Sequence, residues 1–259
     1  MNIVENRYGK SKVRVARIVR QDGRHDFHEM TVAIAFEGDF DSSYREGDNS
    51  LVLPTDTMKN TVYALAQDPA VEQPESFAML LAGHFLSQLS HLRKVKIDID
   101  SHLWQRHDPH SFTAGPSHVR TAQVEATRDG VIIESGVAGY LLMKTTGSAF
   151  EGFLRDEYTT LPEASDRILA TSLDATWRHD GTAEWYKVME TITQTFAAHP
   201  SKSVQHTLYA IGERLLEQFL PIERIRLTMP NKHYLPTRHA DVFTPTDEPH
   251  GLIEAVLTR

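Results

Sequence analysis

One order of secondary structure, strand–strand–helix–helix–strand–strand, is written twice along this chain of 259 residues. In the first half, Val13, Val15 and Ile18-Val19 form a β-branched run, and residues 30–36 form a second. Asp22-Gly23 lies between them and suits a two-residue hairpin turn, because glycine tolerates the positive φ such turns need. Thr55 or Asp56 can cap a helix carrying Met58, Val62 and Leu65 on one face. Pro74-Glu75 opens a second helix with Phe77, Leu80, Leu81, Phe85, Leu89 and Leu92 at helical spacing. Val95, Ile97 and Ile99 alternate with polar residues as a third strand, and Val119–Ala126 reads as a fourth. The second half runs through strands at 131–143 and 168–177 and a helix with Trp185, Met189, Ile192 and Phe196 on one stripe. A helix capped by Ser203 follows, bearing Val204, Leu208, Ile211, Leu215 and Phe219, and strands at 222–234 and 252–257 close the chain. A repeat of about 128 residues puts the boundary near Arg128-Asp129-Gly130 and divides the chain into 1–128 and 129–259. No Ser/Gly-rich linker separates the halves, so they are expected to pack as one body.

Composition narrows the chemistry. Forty per cent hydrophobic residues with 24% charged ones is ordinary for a globular chain of this length. A net charge of −8 argues against a general nucleic-acid binder, since phosphate needs a basic surface. With no cysteine there is no disulfide, no thiolate nucleophile and no cysteine-ligated metal. No stretch approaches ~18 apolar residues, and nothing near Met1 joins a basic start to an apolar run. The chain ends Leu257-Thr258-Arg259 and not in a serine-lysine-leucine peroxisomal address. A cytoplasmic protein without membrane or nucleic-acid partners is therefore expected.

Four polar strings carry more specific information: Tyr8-Gly9-Lys10, Thr55-Asp56-Thr57-Met58-Lys59-Asn60-Thr61, Gly152-Phe153-Leu154-Arg155-Asp156-Glu157-Tyr158-Thr159-Thr160-Leu161, and Pro230-Asn231-Lys232-His233-Tyr234. In this order and at these separations they resemble the signature of the urate oxidase (uricase) family, over residues 8–252. The resemblance implies an α+β fold of two tandem tunnelling-fold units, each a four-stranded antiparallel sheet backed by two helices. Such units assemble edge to edge into a barrel around a central tunnel. It also implies oxidation of urate by O2 and water to 5-hydroxyisourate and hydrogen peroxide, in purine degradation, with no cofactor. The segments around residues 106–109 and 237–240 are shorter than in fungal and animal members, which bears on loop geometry and not on the reaction.

Urate is a flat, electron-rich anion edged with N–H and C=O groups, so its pocket needs a planar cation, an amide and an apolar stacking face. Arg167 can supply the cation, because guanidinium offers forked donors; read from its neighbours alone, it also suits an ion pair with Asp166 or Glu163. Gln205, just inside the Ser203-capped helix, can donate and accept along the purine edge, where free backbone N–H groups favour an anion. The resemblance places Arg167, Gln205, the backbone of Val204, and Phe150 as the stacking ring, at substrate-binding positions.

Lys10 and Thr55 are the expected catalytic pair. A buried lysine with a lowered pKa serves as a base near neutral pH, and the Thr55 hydroxyl can pass a proton between Lys10, water and the ring. Taken alone, Lys10 also fits a basic surface with Arg7, Lys12 and Arg14, and Thr55 a simple helix cap. In the family the equivalent lysine and threonine form a proton relay, and Asp56 belongs to the substrate-binding string. Asn231 and His233, two apart on a strand, face one way; alone, they read equally as a turn residue and an ordinary strand histidine. The resemblance gives Asn231 and Thr55 the oxygen site and makes His233 an extension of the relay.

The pairs His25/His28 and His107/His110 raise a zinc reading, as in tunnelling-fold enzymes that process pterins or GTP, but neither has helical i,i+4 spacing. The absence of cysteine and the Arg167/Gln205 pair count against it, and no metal site is expected. A flavin-dependent urate hydroxylase is excluded by the lack of G-x-G-x-x-G after an opening strand. A purine-binding relative that kept the fold and lost catalysis would be marked by loss of Lys10 or Thr55, and neither is lost. Lys10 and Thr55 lie in the first half, the remaining candidates in the second. In the family these groups meet across subunits, so a homotetramer with active sites at its interfaces is expected.

Overall fold

A computed structural model of the chain describes residues 2–180 and 184–259. They form two compact units, Met1–Ser135 and Gly136–Arg259. The division falls seven residues beyond the expected 128/129 boundary, inside a strand that starts at Val131.

The first unit opens with β1 (Tyr8–Gln21) and β2 (Arg24–Gly38), paired antiparallel around the Asp22-Gly23 turn, with Gly23 at φ +71°. A six-residue helix α1 (Asp41–Glu46) precedes α2 (Thr55–Leu65). A 3-10 turn at Pro69–Glu72 leads into α3 (Pro74–Gln88), opened by Pro74 as its composition requires. Next come β3 (Leu92–His102), a small hairpin of β4 (Trp104–Arg106) and β5 (Phe112–Ala114), and β6 (Val119–Ala126). The sheet order is β1-β2-β3-β6, and α2 and α3 pack on it. Alternate strand positions face these helices: Val32, Phe36, Val95, Ile97, Ile99 and Val124 are buried with Val62, Phe77 and Leu81.

The second unit repeats the plan. Strand β7 (Val131–Lys144) lies beside β8 (Leu169–His179); helices α4 (Trp185–Ala198) and α5 (Val204–Gln218) follow. Then come β9 (Ile222–Thr228), β10 (Asn231–Pro236), β11 (Phe243–Gly251) and β12 (Glu254–Thr258). The four-stranded body is β7-β8-β9-β12, with β10 and β11 inserted between its third and fourth strands, just as β4 and β5 are inserted in the first unit. Leu173, Trp177, Ile192, Ile211, Leu215 and Ile225 fill its core. Among the described residues, no helix is long and apolar enough to cross a membrane.

Three expectations are corrected. Neither Thr55 nor Asp56 caps α2: the capping position is Pro54, which makes no side-chain bond, and Thr55 is already helical. Leu92 belongs to β3 and not to the preceding helix, which stops at Gln88. The strand read at 222–234 is two strands, broken at Met229-Pro230 because proline has no N–H for the ladder. The residues after the break pair instead with the start of β8 and with β11.

Candidate active site

The second unit gathers most of the expected substrate-binding residues around one short segment, 147–150. On one side Arg167 N donates to Ser148 O (2.7 Å), and Phe150 and Ala164 exchange both backbone bonds (2.7 and 3.1 Å). On the other side Ala149 N donates to Ser201 O (2.8 Å) and Ser201 N to Gly147 O (3.0 Å). This stitching ties Phe150, Arg167 and the turn that starts α5 to a common backbone. The Ser203 hydroxyl accepts from His206 N (3.1 Å), which makes Ser203 the true cap of α5, as its sequence predicts. Val204 is buried beneath that turn and Gln205 is exposed on it.

The Arg167 guanidinium lies 5.1 Å from the centroid of the Phe150 ring, which itself stacks on Phe153 at 4.8 Å and 11°. Among the described residues, no carboxylate forms an ion pair with Arg167. Asp166 accepts from Thr146 Oγ1 (2.6 Å) and Ser148 N (3.3 Å), and Glu163 accepts from Gly152 N (3.2 Å). The ion-pair alternative is thus not what the structure shows. Arg167 Nε is buried without a hydrogen-bond partner among the described residues, and burial lowers the guanidinium pKa from its ordinary value. A desolvated, unmatched donor beside an aromatic face is a costly arrangement unless an anion completes it.

A cavity of about 470 Å³ opens at this point, lined by Phe150, Arg167, Asn231 and His233 together with Leu161 and Phe243. That volume suits a small ligand. Asn231 stands opposite Thr171 on β8 and Gly251 on β11; the register then slips before His233 meets Thr246. Despite that irregularity both side chains border the cavity, as their two-residue spacing implies. Val204 and Gln205 do not line it in this single chain, although the 201–205 turn is bonded to the segment that does. Sequence reading missed Phe243, which comes from β11. Two prolines and a run of polar residues give that segment no strand signal.

Lys10, Thr55 and Asp56 belong to the first unit. Half-buried Lys10 pairs with Ile34 directly before a bulge that runs to Val13, where Lys12 adopts φ 56°. Bulges re-aim strand side chains and recur beside functional sites. Gly9 is required by space: a Cβ there would lie 1.8 Å from Ile34 O. Thr55, half-buried, opens α2 with its hydroxyl uncommitted to capping. Exposed Asp56 accepts from Lys59 and from Asn60 Nδ2 (3.1 Å). Its carboxyl is held below the usual range by the Lys59 hydrogen bond and charge, with a smaller pull from Lys10. The rings of His25 and His110 touch edge to face at 4.6 Å, and no group of three or more potential metal ligands occurs among the described residues.

A duplicated α+β unit with a small, cation-bearing cavity on its second copy defines a tandem tunnelling-fold protein. Comparison with known families narrows the class: the uricase family model matches residues 6–127 and 133–254, so the chain belongs to the uricase family. It is 36% identical to uricase of Aspergillus flavus, over 98% of this chain and 95% of that protein. It is 37% identical to uricase of Arabidopsis thaliana, over 99% and 96%. Among solved structures it is similar to uricase from Arthrobacter globiformis, with a TM-score of 0.95 at 34% identity over 100% of this chain and 95% of that one.

Proposed function

We propose that this chain is a urate oxidase that converts urate, O2 and water to 5-hydroxyisourate and hydrogen peroxide in purine degradation, with no cofactor. The observation that carries this reading is the unmatched, desolvated Arg167 beside Phe150, in a cavity shared with Asn231 and His233. The guanidinium fork and the Gln205 amide hold the urate edge, the Val204 backbone contacts it, and Phe150 supplies the stacking face. Asn231 and Thr55 confine O2, and later water or peroxide, against the ring. Lys10, Thr55 and His233 move protons. Urate supplies the electrons: deprotonated, it passes them one at a time to O2, which leaves as hydrogen peroxide, and water adds its oxygen at the oxidised carbon. Proximity and preorganised charge are what the protein must add.

Because Lys10, Thr55 and Asp56 lie on one unit and the other candidates on the second, the proposal includes a cytoplasmic homotetramer in which neighbouring subunits complete each site. The test follows loss of urate's ultraviolet absorbance together with peroxide, using protein dialysed against a chelator. Stoichiometric peroxide that vanishes in Lys10→Met is the expected result. Tight urate binding without turnover, or activity only after zinc is added, would overturn it. Full activity in a dilute monomer would overturn the shared-site assembly.

A further inference from the structure

We infer that Tyr8 is a positioning residue, whose phenol oxygen ties the start of α2, with Thr55, to the strand that carries Lys10; this rests on the function proposed above. Tyr8 lies two residues before Lys10 on β1, and its hydroxyl accepts a 2.9 Å hydrogen bond from Leu53 N, two residues before Thr55. The two ends of the expected relay, 45 residues apart in sequence, are therefore bridged by one side chain to one backbone N–H.

Local geometry leaves this bond few substitutes. Pro54, next in line, has no N–H, and the first N–H groups of a helix have no intrahelical acceptor. The loop before it is held to itself, through Val52 N to Asn49 O (3.0 Å) and Ser50 N to Asp48 Oδ1 (2.9 Å). The bond from Leu53 to Tyr8 is what fastens the Leu53-Pro54-Thr55 approach to β1. Tyr8 is in turn immobilised. Its ring meets Phe36 at 5.8 Å and Phe40 at 4.7 Å, both edge to face, and burial raises its hydroxyl pKa, so it stays a neutral phenol. Gly9 permits the close approach of β1 to Ile34, which fixes where Tyr8 and Lys10 emerge. Phenylalanine would fill the same aromatic cluster and lose only the tether.

Tyr8→Phe is the test, with Tyr44→Phe as its match. Tyr44 also reaches the chain before β1, through a long 3.5 Å bond to Arg7 O, and it lies near enough to Tyr8 to raise that phenol's pKa slightly, but the hydroxyl that accepts from Leu53 N is Tyr8's. Tyr8→Phe is expected to lower kcat about tenfold, the scale of a mildly misplaced catalytic group. Its urate KM changes less than kcat, since most of the proposed substrate-binding residues, Phe150, Arg167, Val204, Gln205 and Asn231, lie on the other unit, and the solvent deuterium isotope effect on kcat rises as proton transfer becomes limiting. Tyr44→Phe leaves all three unchanged. Equal kcat and isotope effect in Tyr8→Phe and the parent, while Lys10→Met is inactive, would overturn the tether and leave the function standing. A loss of kcat matched by lost thermal stability, with the isotope effect unmoved, would reduce Tyr8 to a core residue. Full activity in Lys10→Met would overturn both readings.

Discussion

Replacing Arg167 with methionine separates what this side chain does for a substrate from what it does for the fold. Among the described residues its Nε has no acceptor, Asp166 is taken by Thr146 and Ser148, and its guanidinium faces the Phe150 ring at 5.1 Å. An unsatisfied buried donor costs about 1–3 kcal/mol. The cation–π contact returns about 0.5–1 kcal/mol. A thioether of similar length removes both, so the unliganded protein is expected to be as stable as the parent, or more stable by up to about 2 kcal/mol. For a chain of this size each kcal/mol moves Tm by about 2–4 °C. Urate binding moves the other way. Two charge-assisted hydrogen bonds at about 1.5–3 kcal/mol each are lost, which weakens affinity by about 100-fold or more. Thermal melts in nitrogen-flushed buffer, with and without urate, read both quantities without turnover. The expected pattern is an unchanged or raised Tm without urate and no shift on adding it. A Tm lowered by several degrees, with the urate shift intact, would mean that Arg167 is a structural cation and the reasoning fails.

Two further perturbations address the start of α5. Ser203→Ala removes the acceptor for His206 N, which should cost about 1 kcal/mol and raise the urate KM more than it changes kcat, because Gln205 sits on the loosened turn; an unchanged KM would detach that turn from the site. His199 packs against His206 at 4.3 Å, and its pKa is lowered by burial first, then by the charges of His206 and Lys144. A histidine depressed in the fold contributes stability that is complete above its unfolded value of about 6.5 and is lost as pH falls through the folded value. Tm should therefore fall on acidification below about pH 6.5, less steeply in His199→Gln; identical acid limbs would refute the assignment.

The repeat and its register were legible because they are driven by apolar periodicity. Val95, Ile97 and Ile99, and the stripe Trp185–Met189–Ile192–Phe196, read correctly from spacing, and all these side chains are buried. What escaped lies where no core imposes a period. The hairpin of β4 and β5, and β11 with its prolines, are held by ladder bonds and edge contacts that leave no alternating pattern in the sequence. The capping error at Thr55 has a similar origin. A threonine before a helical stripe suits both the capping position and the first helical residue, and the choice falls to Pro54, whose ψ of 135° already turns the chain. At the site, the family resemblance and not the residue types alone pointed to Arg167 and His233, and the lack of a carboxylate partner for Arg167 follows only from the partners that Asp166 and Glu163 take in the fold.

The duplicated plan also explains why the two units carry different parts of the candidate chemistry. Each of the four helices longer than ten residues among those described offers free N–H groups at its start, where an anion is favoured. Carboxylates stand beside three of them without bonding their N–H groups: Asp56 in the first turn of α2, Glu75 in that of α3, and Glu184 at the cap of α4. Glu75 is further neutralised by Arg120 (2.6 Å) and held by Ser135 Oγ (2.6 Å), which gives that helix start a structural role. Only α5 begins with a neutral cap, Ser203, and no acid in its first turn. It is also the helix whose start is stitched to Phe150 and Arg167. An anion approaching the start of α5 meets a helix end without a carboxylate, near a guanidinium whose Nε has no hydrogen-bond partner among the described residues, whereas the same approach to α2 meets Asp56, whose carboxyl already feels the charge of Lys10. The asymmetry follows from a few carboxylates laid on two copies of one fold, and it leaves the start of α5 as the helix start of the two copies that is most favourable for an anion.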